Sequence, residues 1–306
     1  MSKILTVFGA TGNQGGSVVR AILNDPALSK EFKIRGITRD ASKPAAKELA
    51  SKGVEVISAD MNSAEQAAPA VKDAHTVFVV TNYWDSNKGN GELAQGKAVT
   101  DACKAAGVQH LIFSSLLDTN KISQGRLTHI KHFEEKAQVE QYIRDSGIPA
   151  TFVLPGFFMS NLFTSIRKND EGGYSFVLPV SGDKAQVPLF EAGSDTGKFV
   201  KAAIKHRSDV LGKRIYAATD YYTPSRLISE FSEVIGKPAS YSQVPTEAFK
   251  SFLPPSIAEE MTENMLLLED PGYYAGADLE ESLSLLDEKP TTWKEFVEQY
   301  KSKWTE

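Results

Sequence analysis

The chain has 306 residues and a formal net charge of −5, with 34 Lys and Arg against 39 Asp and Glu. A hydrophobic share of 41% and a charged share of 24% allow a sizeable core and exclude global disorder, and the acidic balance disfavours a generally cationic nucleic-acid binder. A single cysteine, Cys103, excludes an intrachain disulfide and a cysteine-based metal cluster, and no apolar run reaches the ~20 residues of a membrane span. Strand-like runs at residues 4–8, 33–38, 54–57, 76–80, 110–114 and 151–154 alternate with helical runs at 17–23, 43–52, 63–71, 93–106 and 130–144. This alternation predicts βαβ units, and hence a doubly wound α/β fold with a parallel sheet covered on both faces. Residues 77–80, Val-Phe-Val-Val, read as the continuous apolar run of a buried parallel strand.

After Pro155 the alternation loosens. A helix at 157–167 is expected, then a polar loop at 169–173, with strand candidates at 175–178, 187–190 and 214–217. Helices follow at 196–206, 224–235, 246–252, 257–268 and 292–303. The chain thus divides into an α/β domain over 1–155 and a smaller, mostly helical C-terminal domain over 156–306, with some segments returning to the sheet. Thr292 and Glu295 have capping-box spacing, and the stripe Trp293, Phe296, Val297, Tyr300 docks the last helix on the body.

Directly after the first strand comes Gly9-Ala10-Thr11-Gly12-Asn13-Gln14-Gly15, spaced G-x-x-G-x-x-G. Glycines permit close backbone approach, and the helix N-terminus offers unpaired N–H groups and partial positive charge, which together make a pyrophosphate site. The second strand runs into Thr38-Arg39, with Lys43 four residues on; two cations favour the 2′-phosphate of NADP(H) over NAD(H), with Asp40 the objection. At later strand ends, Asp60 and Met61 flank an adenine, Thr81, Asn82 and Tyr83 approach the ribose and nicotinamide, and Pro155, Gly156, Phe157 and Phe158 cover the nicotinamide face. Loop punctuation and packing are the competing readings for these three groups.

Short-chain reductases carry Tyr-x-x-x-Lys on the helix after the fifth strand, where the lysine lowers the tyrosine pKa and the phenol protonates the substrate oxygen. None of the ten tyrosines has a lysine four residues later. The expected place reads His132-Phe133-Glu134-Glu135-Lys136 instead. Lys136 is a ribose-binding candidate, the alternative being an exposed pair with His132 or Glu140. His132 is the candidate acid, the alternative being a packing histidine. Ser114 and Ser115 stand where such enzymes place an assisting hydroxyl. His129, His132 and Glu135 have no recognised metal-ligand spacing, so no metal is expected.

These motifs resemble the NmrA-like proteins, an atypical branch of the short-chain dehydrogenase/reductase superfamily. The resemblance is carried by residues 9–16, by Thr38-Arg39 with Lys43, by Val80-Thr81-Asn82-Tyr83-Trp84, by His132-Phe133-Glu134-Glu135-Lys136 with Val139-Glu140-Gln141-Tyr142, and by Gly147-Ile148-Pro149. It implies a dinucleotide cleft between a Rossmann domain and a smaller C-terminal domain, with residues 10–15 on the pyrophosphate and Arg39 and Lys43 on the 2′-phosphate. It also implies Asp60 and Met61 near the adenine, residues 81–83 with Lys136 on the ribose side, and a further contacting stretch from Phe158 to Asn161. The Thr-Asn-Tyr-Trp and His-Phe-x-x-Lys pieces are most similar to NADPH-sensing members, which implies a redox sensor or regulator acting through a protein partner. Relatives that reduce quinones or phenolics imply the alternative, an NADPH-dependent oxidoreductase with a small-molecule substrate. With no signal-peptide pattern at the start of the chain, a cytoplasmic or nuclear location is expected, without direct nucleic-acid or membrane contact; a homodimer is compatible with the sequence.

Overall fold

A computed structural model describes residues 2–86 and 91–306. Six strands come from the first half: β1 (Lys3–Phe8), β2 (Phe32–Thr38), β3 (Glu55–Ser58), β4 (Thr76–Val79), β5 (His110–Ser114) and β6 (Ala150–Pro155). The second half adds β7 (Phe157–Phe158), β8 (Ile166–Lys168), β9 (Tyr174–Leu178), β10 (Val187–Phe190), β11 (Arg214–Ala217), β12 (Asp220–Tyr222) and β13 (Ala239–Gln243). The main sheet has seven strands in the order β11-β6-β5-β4-β1-β2-β3, every pairing parallel. Two three-stranded sheets, β12-β10-β7 and β13-β9-β8, occupy the C-terminal half.

Strand β4 lies mid-sheet with all four residues buried, as its unbroken apolar run requires. The order reverses between β1 and β4, since β2 and β3 extend to one side and β5 and β6 to the other. In such sheets the crevice outside the strand C-termini at the reversal point is where ligands bind. One face of the sheet carries the helix Asn13–Asn24, which presents Val18, Val19 and Ile22 to the core and packs along the helix Ala192–Lys205. The two helices are pinned where the Gly197 N–H donates to Ser17 Oγ at 2.9 Å. The helix Trp293–Gln299 has both arms of the expected capping box, and Trp293, Phe296 and Val297 are buried.

The helix expected over 157–167 is not formed as one. Phe157 and Phe158 extend alongside Leu189 and Phe190 as β7, and only Leu162–Ser165 is α-helical before β8 begins. Pairing with β10 and β9 satisfies the backbone that a helix would have satisfied internally, and it turns the chain back over the strand ends. Strand β12 has no apolar alternation, and that of β13 is confined to Ala239 and Tyr241. Among the described residues, no helix is long and apolar enough to cross a membrane.

Candidate functional site: a cleft at the strand C-termini

A cleft of about 1160 Å³ opens over the C-terminal ends of β1, β2, β4 and β6. It is lined by Gly9, Thr11, Gly12, Asn13, Gln14 and Gly15, by Arg39 and Lys43, by Asp60 and Met61, and by Thr81, Asn82 and Tyr83. His132, Lys136, Pro155, Gly156, Phe157, Phe158 and Asn161 complete the set of residues expected from the sequence. Ala10 is the exception. It is 1% exposed, and its N–H donates to Ile37 O at 3.1 Å, so it serves the β1–β2 junction rather than the cleft.

The loop after β1 is built for an anion. Gly9 turns at φ +66°, and Gly12 caps the first helix without any side-chain hydrogen bond. The first intrahelical bond is Gly16 N–H to Gly12 O at 2.8 Å, so the amides of Asn13, Gln14 and Gly15 have no intrahelical acceptor. No acidic side chain occupies that first turn. The Gln14 side chain is itself fixed, accepting from Ser114 Oγ at 2.8 Å. Ser114 therefore positions the loop. Ser115 is buried and donates to Glu140 at 2.6 Å. Neither serine lines the cleft.

At the end of β2, Arg39 and Lys43 are exposed on the rim. Asp40 is turned into its own loop, where its carboxylate accepts from Ser42 Oγ at 2.6 Å and Ser42 N at 2.9 Å. These bonds, with a smaller contribution from Lys43, hold the Asp40 carboxyl below the usual range. The acid that would oppose a phosphate is thus occupied locally, and the loop carries two cations toward the cleft. The residues present fit a phosphorylated dinucleotide, from the open helix N-terminus at one end to the basic rim at the other.

Lys136 lines the cleft, but it is buried and does not form the exposed pair with His132 or Glu140 of the alternative reading. It is 9% exposed, and its Nζ donates to Thr81 O (3.1 Å), Thr81 Oγ1 (3.0 Å) and Glu92 Oε1 (2.5 Å). Three partners match the three protons of an ammonium. Its observed role is to tie the post-β4 segment to the helix Glu92–Ala105. Glu92, 0% exposed and 44 residues away in sequence, had no signal that marked it as the partner. Glu140 pairs with Arg144 and Arg214 instead.

His132 lines the cleft beside Tyr83 and Trp84, with ring centroids 5.9 and 5.8 Å away. Its Nδ1 lies 2.5 Å from Glu260 Oε1, which also accepts the His132 backbone N–H at 3.0 Å. Glu260 further accepts from the Tyr83 hydroxyl at 3.3 Å. Burial pushes the Glu260 carboxyl up, but the His132 bonds and charge together with Tyr83 outweigh it and leave Glu260 below its ordinary range. Burial first, then the nearby carboxylates Glu260 and Glu135, push the Tyr83 phenol up to about 12. Tyr83 therefore stays protonated at neutral pH and does not reproduce the activated tyrosine of short-chain reductases. A second clamp lies alongside: Glu263 binds the His129 backbone N–H (2.7 Å) and Nδ1 (2.6 Å). Donor atoms of His129, Glu259 and Glu263 lie within 4.8 Å of one another, but Glu259 pairs with Lys250, so the cluster reads as ion pairing.

The far wall of the cleft was not flagged from sequence. Phe249, Phe252, Leu253, Ile257, Met261, Asn264, Met265 and Tyr273 reach it from the C-terminal half, and Phe176 and Leu178 from β9. Apolar residues at helical spacing read as core whether they face a core or a cavity, so the pattern alone held no distinguishing signal.

A family model described as the NmrA-like family matches residues 1–297. Among curated proteins, the NmrA-like family domain-containing oxidoreductase malD of Malbranchea aurantiaca is 32% identical over 255 residues, covering 78% of this chain and 75% of its own length. Among solved structures, NmrA, a negative transcriptional regulator, in complex with NADP matches with a TM-score of 0.81 at 23% identity, over 98% of this chain and 95% of that one. The NADPH-dependent quinone oxidoreductase QOR2 of Escherichia coli, complexed with NADPH, matches with a TM-score of 0.76 at 21% identity, over 97% and 99%. Those two structural likenesses concern the fold. The family match spans nearly the whole length and agrees with the loop, rim and helix motifs, so this chain belongs to the NmrA-like family.

Proposed function

We propose that the protein is an NADP(H)-dependent oxidoreductase acting on a small apolar acceptor. The observation that carries this reading is the continuity of the cleft. It runs from the open amides of Asn13–Gly15, past the Arg39 and Lys43 rim, into a wall of Met, Phe, Leu and Ile side chains that a dinucleotide's polar phosphates do not need. Bound NADPH supplies a hydride there. The loop amides hold the pyrophosphate, Arg39 and Lys43 hold the 2′-phosphate, and NAD(H) binds more weakly because it lacks that phosphate. Phe157, Phe158 and Asn161 cover the cleft from the post-β6 segment. His132, braced by Glu260 on the cleft wall, is the candidate acid for an acceptor oxygen.

One observation favours a second reading, that of a redox sensor working through a protein partner in cytoplasm or nucleus. The chain lacks Tyr-x-x-x-Lys, and Lys136, which in that pattern would serve the tyrosine, is tied to Glu92 and Thr81. Loss of NADPH absorbance with a panel of quinones and aldehydes separates the two. Turnover that falls strongly in His132→Ala, with NADPH affinity retained by calorimetry, is the expected result. Tight NADPH binding with no turnover of any acceptor overturns the reductase reading in favour of the sensor.

A further inference from the structure

From Pro155 onward, the described residues that line the cleft are apolar or neutral with one exception, Arg167. Strand β8 sets its direction. Ile166 is buried in the core, and Lys168 Nζ reaches the C-terminal segment at Thr305 O (3.4 Å). Period-two alternation therefore turns Arg167, between them, to the opposite face. There it pairs across the sheet with Ser175 of β9, which lines the cleft together with Val177 two residues on. Arg167 is exposed as well as cleft-lining, so a ligand in the cleft has access to it.

The guanidinium is held but not neutralised. Its Nε donates to Thr164 O at 3.0 Å, which fixes the side chain, while its Nη groups have no partner among the described residues. Other arginines of the chain do meet carboxylates: Arg126 pairs with Asp270, Arg144 and Arg214 with Glu140, and Arg226 with Asp220. The two carboxylates that line the cleft, Asp40 and Asp60, are engaged in their own loops, Asp40 by Ser42 and Asp60 by the Met61 N–H at 2.7 Å. The segment that carries Arg167 leaves the main sheet after β6, four strands from β2, so about 19 Å from the origin of the basic rim. On its own side it adjoins the apolar wall, with Phe176 and Leu178 on the neighbouring strand and Phe249, Leu253 and Met261 beyond.

We infer that the second substrate is an anion: an apolar molecule bearing one carboxylate-type group, which Arg167 receives through its Nη groups while the apolar wall holds the body. The inference rests on the reductase reading for calling that anion an acceptor, though not for its binding. A planar guanidinium matches a carboxylate in bidentate fashion, and charge-assisted hydrogen bonds are the stronger kind. One cation beside an otherwise uncharged wall selects for a single anionic group and fixes which end of the ligand it takes. Arg167 is a specificity-determining residue, with no proton transfer assigned to it.

The probes are 2-naphthoate and 2-naphthamide, close in shape and differing in charge, neither of them a hydride acceptor. Each is titrated by calorimetry into the full chain saturated with NADP⁺, which occupies the loop and the rim. The parent is expected to prefer naphthoate by about tenfold at ~0.01 M salt, and to lose most of that preference at ~1 M because the guanidinium is exposed. Arg167→Met keeps an unbranched side chain without the charge. It is expected to bind the two probes equally, with naphthamide affinity, NADP⁺ affinity and melting temperature unchanged. Arg167→Lys, a point charge without the fork, is expected to keep only part of the preference and serves should the methionine variant not fold. A naphthoate preference that survives Arg167→Met, or a parent that binds the probes equally or binds neither, overturns the inference. So does a loss of NADP⁺ affinity in Arg167→Met, which would make Arg167 a cofactor cation, and so does an equal loss of both probes with a lowered melting temperature, which would make it structural. Absence of turnover with any acceptor, with the Arg167-dependent preference intact, removes the reductase reading alone.

Discussion

Gly15→Ala puts the phosphate loop to a quantitative test. A Cβ at this position would lie 2.3 Å from Gly9 O, 2.6 Å from Gly9 C and 2.9 Å from Phe8 O, all backbone atoms of the preceding strand and turn. Non-bonded contacts settle at about 3.5 Å, so the helix N-terminus must back away from β1 by about 1 Å. Overpacking of this kind destabilises by about 1–3 kcal/mol, and an immobile backbone partner puts Gly15 at the upper end, only partly offset by the ~1 kcal/mol that alanine gains over glycine in a helix. The same displacement moves the amides of Asn13 to Gly15 past the ~3.2 Å limit of a hydrogen bond to a phosphate oxygen. NADP affinity should therefore fall at least about tenfold. Two neighbouring glycines are controls. At Gly12 the added carbon meets Gly9 O at 3.3 Å, and at Gly16 it meets Arg20 Nη1, the far end of a long side chain, at 3.2 Å. Both alanine variants should stay within about 1 kcal/mol of the parent. Urea unfolding gives the stability and calorimetry the affinity. A Gly15→Ala protein within about 0.5 kcal/mol of the parent, with unchanged NADP binding, would refute the close-packed loop.

Removing one partner of the buried Lys136–Glu92 pair, by Lys136→Met or Glu92→Met, should cost about 3–5 kcal/mol, and the double variant should recover much of it. Additive losses in a denaturation cycle would sink the pairing. Arg39→Ala should weaken NADP binding by about 10- to 100-fold while hardly affecting NAD, and an unchanged NADP/NAD ratio by calorimetry counts against the basic rim. The third expectation concerns pH. His110 is buried; its Nε2 meets Thr151 Oγ1 at 2.9 Å while Nδ1 has no partner among the described residues. Burial first, then the charges of Arg207 and His75, lower its pKa to about 3. The unfolded chain, with a histidine near 6.5, therefore binds the extra proton first, and stability falls as pH drops from about 6.5 toward 3. His110→Gln should flatten that slope in pH-dependent melting, and an unchanged slope would clear His110 of the role.

The Rossmann strands were legible because a strand buried on both faces must be largely apolar, as residues 77–79 of β4 are. The loop and rim were legible because glycines and cations stand at fixed offsets from those strands. What stayed hidden depends on partners distant in sequence. Strand β13, Ala-Ser-Tyr-Ser-Gln, is held by register with β9, and its alternation rests on Ala239 and Tyr241 alone, too weak to announce a strand. Residues 157–167 have a helix-like apolar density, yet β10 and β9 draw their ends into sheets. Lys136 was placed on the right helix, but the partners that engage its ammonium, Thr81 and Glu92, lie 55 and 44 residues away in sequence.

The contact between the helices Asn13–Asn24 and Ala192–Lys205 has a consequence for how the chain is made. The apolar face of the first helix leaves the ribosome early, but its cover is synthesised about 180 residues later. At ~5–20 residues per second the interval is roughly ten to forty seconds. Strand β11, which closes the sheet beside β6, emerges later still. Through that window the nascent chain presents Val18, Val19 and Ile22 without their cover, so a chaperone or a misfolding encounter has its opening at the segment that carries the phosphate loop.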